Sequence, residues 1–281
     1  MYPRKFEYVA VTSIDEAVSA LAGAEFAKVM AGGMSLIPMM KLRLLSPDLV
    51  VDIGRVGGLD QINDAGDHVS IGALVRHAQT AGSSVVPTAL ADAASWTGDP
   101  QVRNRGTTCG AVAHSDIAAD QTAPILALGA VMIAQGPSGT REIAADDFFV
   151  DTLTSALEPD EILVEIRLPR NGGGSAYDKL GRRGGHTDYA VAGAAAWVEK
   201  SNGSVSACRV ALTGVGTKTS LAEGVAEALI GTDGSEQAVR EAAERATEGV
   251  TVLEDLYGSQ AYKSHLAKVY TRRALTQALA Q

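Results

Sequence analysis

Apolar residues in the first 55 positions recur with two different periods, which predicts helices and strands in alternation. Ser13 precedes the first helical stretch as an N-cap residue, and Glu16 completes a capping box with it. Two glycines, at 32–33, separate the first strand from the next helix. The predicted elements are a helix at 12–21, a strand at 27–31, a helix at 35–44 and a buried strand at 49–53.

Residues 54–170 mix short strands with alanine-rich helices. A second glycine-bearing turn is predicted at 103–112, and the stretch 136–139 carries a hairpin signal. The stretch 171–175, Asn-Gly-Gly-Gly-Ser, is the best linker candidate in the chain. The other predicted elements are strands at 69–73, 131–134 and 161–168, and helices at 74–82, 87–95 and 117–128.

Beyond the linker candidate, strands come first and helices last. The predicted elements are strands around Tyr177, at 189–198 and at 205–212, and amphipathic helices at 235–247 and 259–279. This order is typical of an α+β domain in which helices cover one face of an antiparallel sheet.

Composition narrows the class of protein. The 281 residues are 46% hydrophobic, enough for two modest domains with buried cores. The net charge of -9 argues against a nucleic-acid partner. No apolar run reaches the roughly 18 residues that a membrane span requires, and the N-terminus lacks the apolar core of a signal peptide. We therefore expect a cytoplasmic protein with no membrane span.

Metal-ligating residues are sparse. The chain has two cysteines, Cys109 and Cys208, whereas an iron–sulfur cluster usually takes four thiolates. Its five histidines show no metal-ligand spacing. A redox metal would therefore have to be held by another chain.

Three segments could carry chemistry. Ala31 to Ser35 (the first loop) joins a strand to a helix through two glycines, so it either binds phosphate or is an ordinary turn. It matches neither the dinucleotide fingerprint nor the P-loop. Arg103 to Ala111 (the second loop) is either an anion-binding nest, with donors from Thr107 and Thr108, or a polar surface turn. Lys179, Arg182 and Arg183 either hold an anion or face solvent or a partner chain. Catalysis by Cys109 with His114 lacks a third orienting group.

The two loops together resemble a known family. AGGMSLIPMMKLRLLSP (31–47) and QVRNRGTTCGAVAHSDIAAD (101–120) are similar to motifs of the FAD-binding medium subunit of the molybdenum hydroxylases. That family includes the carbon monoxide dehydrogenase, xanthine dehydrogenase, and quinoline and nicotine oxidoreductase flavoproteins. The resemblance covers essentially the whole chain.

This resemblance implies a PCMH-type FAD-binding fold over 1–172, with subdomains of about 1–55 and 56–172, followed by a C-terminal flavoprotein domain over 175–281. It implies that Asp120 reaches the polar part of FAD, that Leu157 and Lys179 lie near the flavin, and that Tyr189 lies beside the isoalloxazine ring. The backbone contacts implied for the pyrophosphate and the second loop are Ala31, Gly32, Gly33, Met34 and Ser35, and Thr107, Thr108, Cys109, Gly110 and Ala111.

The resemblance also implies partners. FAD would be noncovalent, a small subunit would carry two [2Fe–2S] clusters, and a large subunit would carry molybdopterin. The assembly would be a dimer of heterotrimers that passes electrons through FAD to an external acceptor. No catalytic side chain and no metal ligand are assigned to this chain.

The chain departs from the family pattern. The family usually has Thr-Ile-Gly-Gly-Asn where this chain has Thr107-Thr-Cys109-Gly-Ala111, and Asp-Pro where it has Asp116-Ile117. Either Cys109 takes the left-handed conformation that suits glycine, or the loop is packed around a buried thiol. Two other functions stay open: a stand-alone flavin reductase resembling the UDP-N-acetylenolpyruvoylglucosamine reductases, and a non-catalytic flavin-binding or partner-binding paralogue.

Overall fold

The computed structural model describes residues 2–184 and 187–281, which form three sheet-based units. In the first unit, three short strands form a wholly parallel sheet of order β1-β3-β2, with Val51 of the central strand paired to Val9 and Val29. Its elements are β1 (Glu7–Ala10), α1 (Ile14–Ala22), β2 (Ala27–Met30), α2 (Leu36–Leu42) and β3 (Leu49–Asp52).

Helix α1 begins as its sequence predicts, with one difference. The Ser13 hydroxyl accepts the Glu16 backbone N–H at 3.2 Å, which caps the helix. The Glu16 carboxylate accepts the backbone N–H of Thr12 at 2.8 Å, one residue before the position that a capping box predicts. The helix buries Ala17, Val18 and Leu21 against the sheet.

The second unit contains a five-stranded antiparallel sheet of order β4-β5-β10-β6-β7, flanked by short helices. Its first half contains β4 (Ile62–Asp64), β5 (His68–Gly72), α3 (His77–Gly82), α4 (Thr88–Trp96), α5 (Pro100–Arg103), α6 (Thr108–His114) and α7 (Thr122–Ala127). Its second half contains β6 (Val131–Gly136), β7 (Gly139–Ala144), α8 (Ala145–Phe148), β8 (Phe149–Asp151), β9 (Thr154–Ser155) and β10 (Ile162–Pro169).

Several of the helices, strands and turns predicted for this unit are confirmed, and two predicted segments are corrected. The hairpin signal is confirmed, because Gly136 pairs with Gly139 where β6 turns into β7. The turn predicted at 103–112 is wrong over its second half, which forms α6. The helix predicted at 117–128 is too long, because only Thr122–Ala127 is helical.

The third unit is a four-stranded antiparallel sheet of order β11-β12-β13-β14, with helices against one face. The α+β class is confirmed, although the sequence pattern missed the first helix. The elements are β11 (Gly174–Gly181), β12 (Ala190–Ser201), β13 (Ser204–Thr213), β14 (Ser220–Leu221), α9 (Glu223–Leu229), α10 (Glu236–Ala243) and α11 (Gln260–Leu279).

Strand β12 is buried on both of its faces, because helices cover one side and the second unit covers the other. Ala194 and Ala196 pack in the core beneath α9, α10 and α11. Ala195 and Trp197, whose side chains lie on the opposite face of the strand, pack with Tyr177 in the core of the second unit. The third unit therefore supplies a wall of its neighbour's core. Within the described residues, no helix has the combination of length and hydropathy needed to cross a bilayer.

Candidate functional site

A cleft of about 530 Å³ opens where the parallel strands of the first sheet end. Ala31 and Gly32 follow β2, and Gly54 to Gly57 follow β3, so both segments leave the same edge. The second unit contributes Arg76 and Arg105 to the lining of this cleft. The edge beyond the carboxyl ends of parallel strands is where α/β proteins commonly bind ligands.

The two glycine loops meet at this cleft. A Cβ on Gly32 would overlap the carbonyl oxygen of Arg105 and lie 2.8 Å from the Cα of Gly106, so only glycine fits. Gly33 has a φ of +72°, which glycine adopts without strain. Ser35 precedes α2 but makes no capping hydrogen bond with its side chain. The first loop thus presents close-packed backbone and an uncommitted hydroxyl.

The second loop is fixed against the segment that leads into α3. The His77 N–H donates to the Gly106 carbonyl at 3.0 Å, and the Thr108 N–H donates to the Val75 carbonyl at 3.0 Å. The His77 ring would lie 2.9 Å from a Cβ at position 106. Burial, and secondarily the charge of Arg103, lowers the pKa of His77 to about 4. The neutral, buried imidazole of His77 therefore packs against Gly106 of the second loop.

Helix α6 separates the residues of the second loop into two groups. Thr107 is its N-cap, and its hydroxyl accepts the Gly110 N–H at 3.2 Å. Gly110 and Ala111 lie on the half-buried side of the helix. Thr108 and Cys109 point into the core instead. The expectation that the Thr108 hydroxyl supplies a donor to an anion is wrong, because that hydroxyl pairs with the buried Thr80 hydroxyl at 2.7 Å.

Cys109 occupies a helical position, so the left-handed alternative is wrong and the buried-thiol alternative is confirmed. Its Sγ lies 3.3 Å from the Ile71 carbonyl oxygen. The residue is 1% exposed, and burial raises the pKa of its thiol. Cys109 therefore acts as a small buried side chain that attaches α6 to β5.

Asp120 and Lys179 come together where the second unit meets the third. The Lys179 ammonium donates to the Asp120 carboxylate at 2.6 and 2.7 Å and to the Asp188 carbonyl at 2.7 Å. Tyr177 donates its hydroxyl to Asp120 at 2.7 Å. Burial raises the pKa of Asp120 to about 6, although the ammonium of Lys179 opposes that shift. This network attaches the backbone beside Tyr189 to the second unit.

Tyr189 lies next to the segment that follows α6. The N–H of the next residue, Ala190, donates to the Ala118 carbonyl at 3.1 Å. The Tyr189 side chain is 44% exposed. Leu157 packs half-buried against the core of the second unit, in a turn that Arg141 holds through the Ala156 carbonyl at 2.7 Å. Of the segment between Tyr177 and Tyr189, residues 185 and 186 lie outside the described part of the chain.

Several residues that line the cleft were not expected from the sequence, among them the polar residues Asp52, Arg55, Arg76 and Gln79. The signal for Asp52 and Arg55 was available, because they lie at and just beyond the carboxyl end of the strand predicted at 49–53. Arg76 and Gln79 had no such signal, because a helix was predicted to run through both positions.

Comparison with known families identifies the chain. Residues 4–171 match the model described as "FAD binding domain in molybdopterin dehydrogenase". Residues 175–278 match the model described as "CO dehydrogenase flavoprotein C-terminal domain". The chain belongs to the FAD-binding medium chains of the molybdenum hydroxylases.

Named relatives of this medium chain match over almost their full length. The carbon monoxide dehydrogenase medium chain of Hydrogenophaga pseudoflava is 41% identical, covering 100% of this chain and 99% of the relative. The nicotine 6-hydroxylase medium subunit of Paenarthrobacter nicotinovorans is 33% identical, with 96% of each chain covered.

Solved structures agree with the fold of this medium chain. A carbon monoxide dehydrogenase from Hydrogenophaga pseudoflava superposes with a TM-score of 0.94 at 41% identity, covering 100% of this chain and 99% of that chain. Quinoline 2-oxidoreductase from Pseudomonas putida 86 superposes with a TM-score of 0.93 at 31% identity, with the same coverage. The predicted FAD-binding fold, and the predicted function as the FAD subunit of a heteromeric molybdenum hydroxylase, are confirmed.

Proposed function

We propose that FAD binds this medium chain noncovalently, with its diphosphate in the cleft and its flavin end toward Tyr189. The observation that carries this proposal is the contact of Gly32 with the Arg105–Gly106 backbone, which joins the two glycine loops into one wall. The volume of the cleft, about 530 Å³, lies in the range of cofactor pockets. Its glycines admit a diphosphate close to the backbone.

The first loop would hold the diphosphate mainly through its backbone. In this proposal Ala31, Gly32, Gly33 and Met34 approach the phosphates, and the Ser35 hydroxyl donates to them because α2 does not use it as a cap. The cleft-lining arginines, at positions 55, 76 and 105, supply the positive charge that a diphosphate requires.

The second loop would contact FAD through only part of its length. Thr107 is buried but lines the cleft, and Gly110 and Ala111 are half-buried, whereas the Thr108 and Cys109 side chains fix the helix from the core. No residue in either loop is placed as a covalent attachment point.

At the flavin end, Asp120 and Lys179 would contribute by holding the backbone of Tyr189 in place. Their buried pair holds the Asp188 carbonyl and so the backbone of Tyr189. We propose that the Tyr189 ring lies beside the isoalloxazine ring and excludes water from it. The placement of Leu157 near the flavin stays a prediction from the family resemblance.

The chemistry is electron relay, and no side chain of this chain is assigned proton transfer. When bound, FAD accepts electrons that originate at a molybdenum centre and passes them to an external acceptor. We propose that the medium chain assembles with a small subunit carrying [2Fe–2S] clusters and a large subunit carrying molybdopterin, as a dimer of heterotrimers in the cytoplasm.

The experiment compares two substitutions in the first loop of the full-length chain. Gly33→Val places a branched side chain at a φ of +72° and should strongly lower the FAD content. Met34→Ala, at a side chain that is 37% exposed, is the matched control and should keep it. The cofactor is released by heat or acid and identified by chromatography. Equal FAD content in a folded Gly33→Val protein, or recovery of FMN, would contradict the proposal.

A second measurement tests whether substrate oxidation requires the partner subunits. The isolated, FAD-loaded chain should not reduce its flavin with any organic substrate, and added iron–sulfur and molybdenum subunits should restore turnover. Rapid substrate-dependent reduction by this chain alone would favour the stand-alone reductase.

A further inference from the structure

The guanidinium of Arg182 lies between two tyrosine rings. Its central carbon is 5.1 Å from the centroid of Tyr189 and 4.4 Å from the centroid of Tyr257. Both distances are within the range of cation–π contacts. Its Nε is buried and makes no hydrogen bond to the described residues, so the two rings are the contacts that the described residues offer to this end of the guanidinium.

The second ring belongs to a turn that is anchored in the third unit. The Asp255 carboxylate accepts the Tyr257 N–H at 2.8 Å and the Lys263 ammonium at 2.7 Å. Lys263 is 1% exposed and also donates to the Gly214 carbonyl at 3.0 Å. A buried lysine of α11 therefore fixes the turn that carries Tyr257.

The backbone of Tyr189 is held separately from its ring. Its carbonyl accepts the Arg182 N–H at 2.9 Å, and its own N–H donates to the Asp188 carboxylate at 2.7 Å. These bonds fix the main chain but leave the side-chain torsions free. Because the ring is 44% exposed, core packing does not determine its orientation.

We propose that Arg182 and Tyr257 are positioning residues that hold the Tyr189 ring in the orientation that receives the flavin. This inference rests on the proposed function, in which Tyr189 lies beside the isoalloxazine ring. The stacked order Tyr257–Arg182–Tyr189 connects the anchored turn of the third unit to the flavin end of the site. Tyr257 thereby acts on the cofactor site through Arg182, although it does not itself line the cleft.

The test uses the full-length chain, stripped of flavin and titrated with FAD, with flavin fluorescence and the visible absorption spectrum as readouts. Arg182→Met and Tyr257→Ala should each weaken FAD binding roughly two- to five-fold, the range expected for an exposed cation–π contact. Both should shift the flavin spectrum in the same direction as Tyr189→Ala. Tyr257→Phe, which keeps the ring, should behave like the parent protein.

Two further comparisons separate positioning from general destabilisation. Leu256→Ala, at a neighbouring side chain that is 98% exposed, should change neither readout. In a Tyr189→Ala background, Arg182→Met and Tyr257→Ala should have no additional effect, because the Tyr189 ring that they are proposed to position is absent.

The outcomes distinguish this inference from the proposed function. If Tyr189→Ala changes affinity and spectrum while Arg182→Met and Tyr257→Ala do not, the positioning role is overturned and the placement of the flavin stands. If additive losses persist in the Tyr189→Ala background, the positioning role is also overturned. If Tyr189→Ala itself changes neither readout, the placement of the flavin beside Tyr189 is overturned as well.

Discussion

Substituting Gly32 with alanine tests the contact that joins the two glycine loops. The added Cβ would overlap the Arg105 carbonyl oxygen and lie 2.8 Å from the Gly106 Cα and 2.9 Å from the Arg105 carbonyl carbon. All three are backbone atoms, so no side-chain rotation can relieve the overlap. Either the folded protein accepts the strain, or the second loop moves away from the first.

The cost is that of overpacking a well-packed site, about 1–3 kcal/mol. If the strain stays in the folded protein, the free energy of unfolding falls by that amount. If the loops separate, stability changes little and FAD must restore the contact, which weakens its binding roughly 5- to 140-fold. The losses in stability and in binding should therefore sum to about 1–3 kcal/mol.

Denaturant unfolding of the flavin-free chain and a fluorescence titration with FAD measure the two parts. Gly82→Ala is the matched control, because its Cβ would meet no heavy atom within 4 Å and it lies outside the cleft. That variant should match the parent in both assays. A Gly32→Ala protein that also matches the parent in both would refute the reasoning that the loops touch at this point.

Three further predictions concern buried groups around the site. Cys109→Gly should destabilise the protein by about 1–3 kcal/mol in denaturant unfolding, because a buried thiol is lost and glycine gives the unfolded chain more conformational freedom; an unchanged midpoint would contradict this. His77 is neutral in the folded protein with a pKa of about 4, so its contribution to stability should fall by up to about 3 kcal/mol as the pH drops from 6.5 to 4. The raised pKa of Asp120 acts in the opposite direction over this range, so the measurement is the difference in unfolding free energy between the parent and His77→Gln at each pH, and a difference that does not change with pH would contradict the prediction. Lys179→Met should cost about 3–5 kcal/mol by removing the counter-ion of the buried Asp120 carboxylate, and adding Asp120→Asn should recover part of it, as thermal unfolding would show.

Local signals in the sequence predicted much of the fold. Ser13 caps α1 through its hydroxyl, and the glycines at 136 and 139 mark a hairpin, because caps and tight turns depend on neighbouring residues alone. The pairing of the two loops followed from a family resemblance, whereas no local pattern showed that Gly32 touches Arg105.

The features that sequence reasoning missed depend on distant contacts. The segment Thr107-Thr-Cys-Gly-Ala111 has the composition of a turn, yet it begins a helix because Thr107 caps it and Cys109 packs against β5. Tyr257 follows the short mixed stretch at 251–256, which belongs to no predicted helix or strand, so nothing near it indicated a contact with Arg182, 75 positions away. Partners separated this far along the chain are set by topology.

The shared core between the second and third units has a consequence for biosynthesis. Residues 69–168 leave the ribosome before Tyr177, Ala195 and Trp197, which complete their core. Until those side chains arrive, the nascent second unit carries an uncovered apolar face, and chaperones are the expected occupants of that face. Truncation just after residue 172 would make this transient state permanent. Ribosome-bound chains of increasing length should therefore become resistant to protease only after β12 and β13 have emerged.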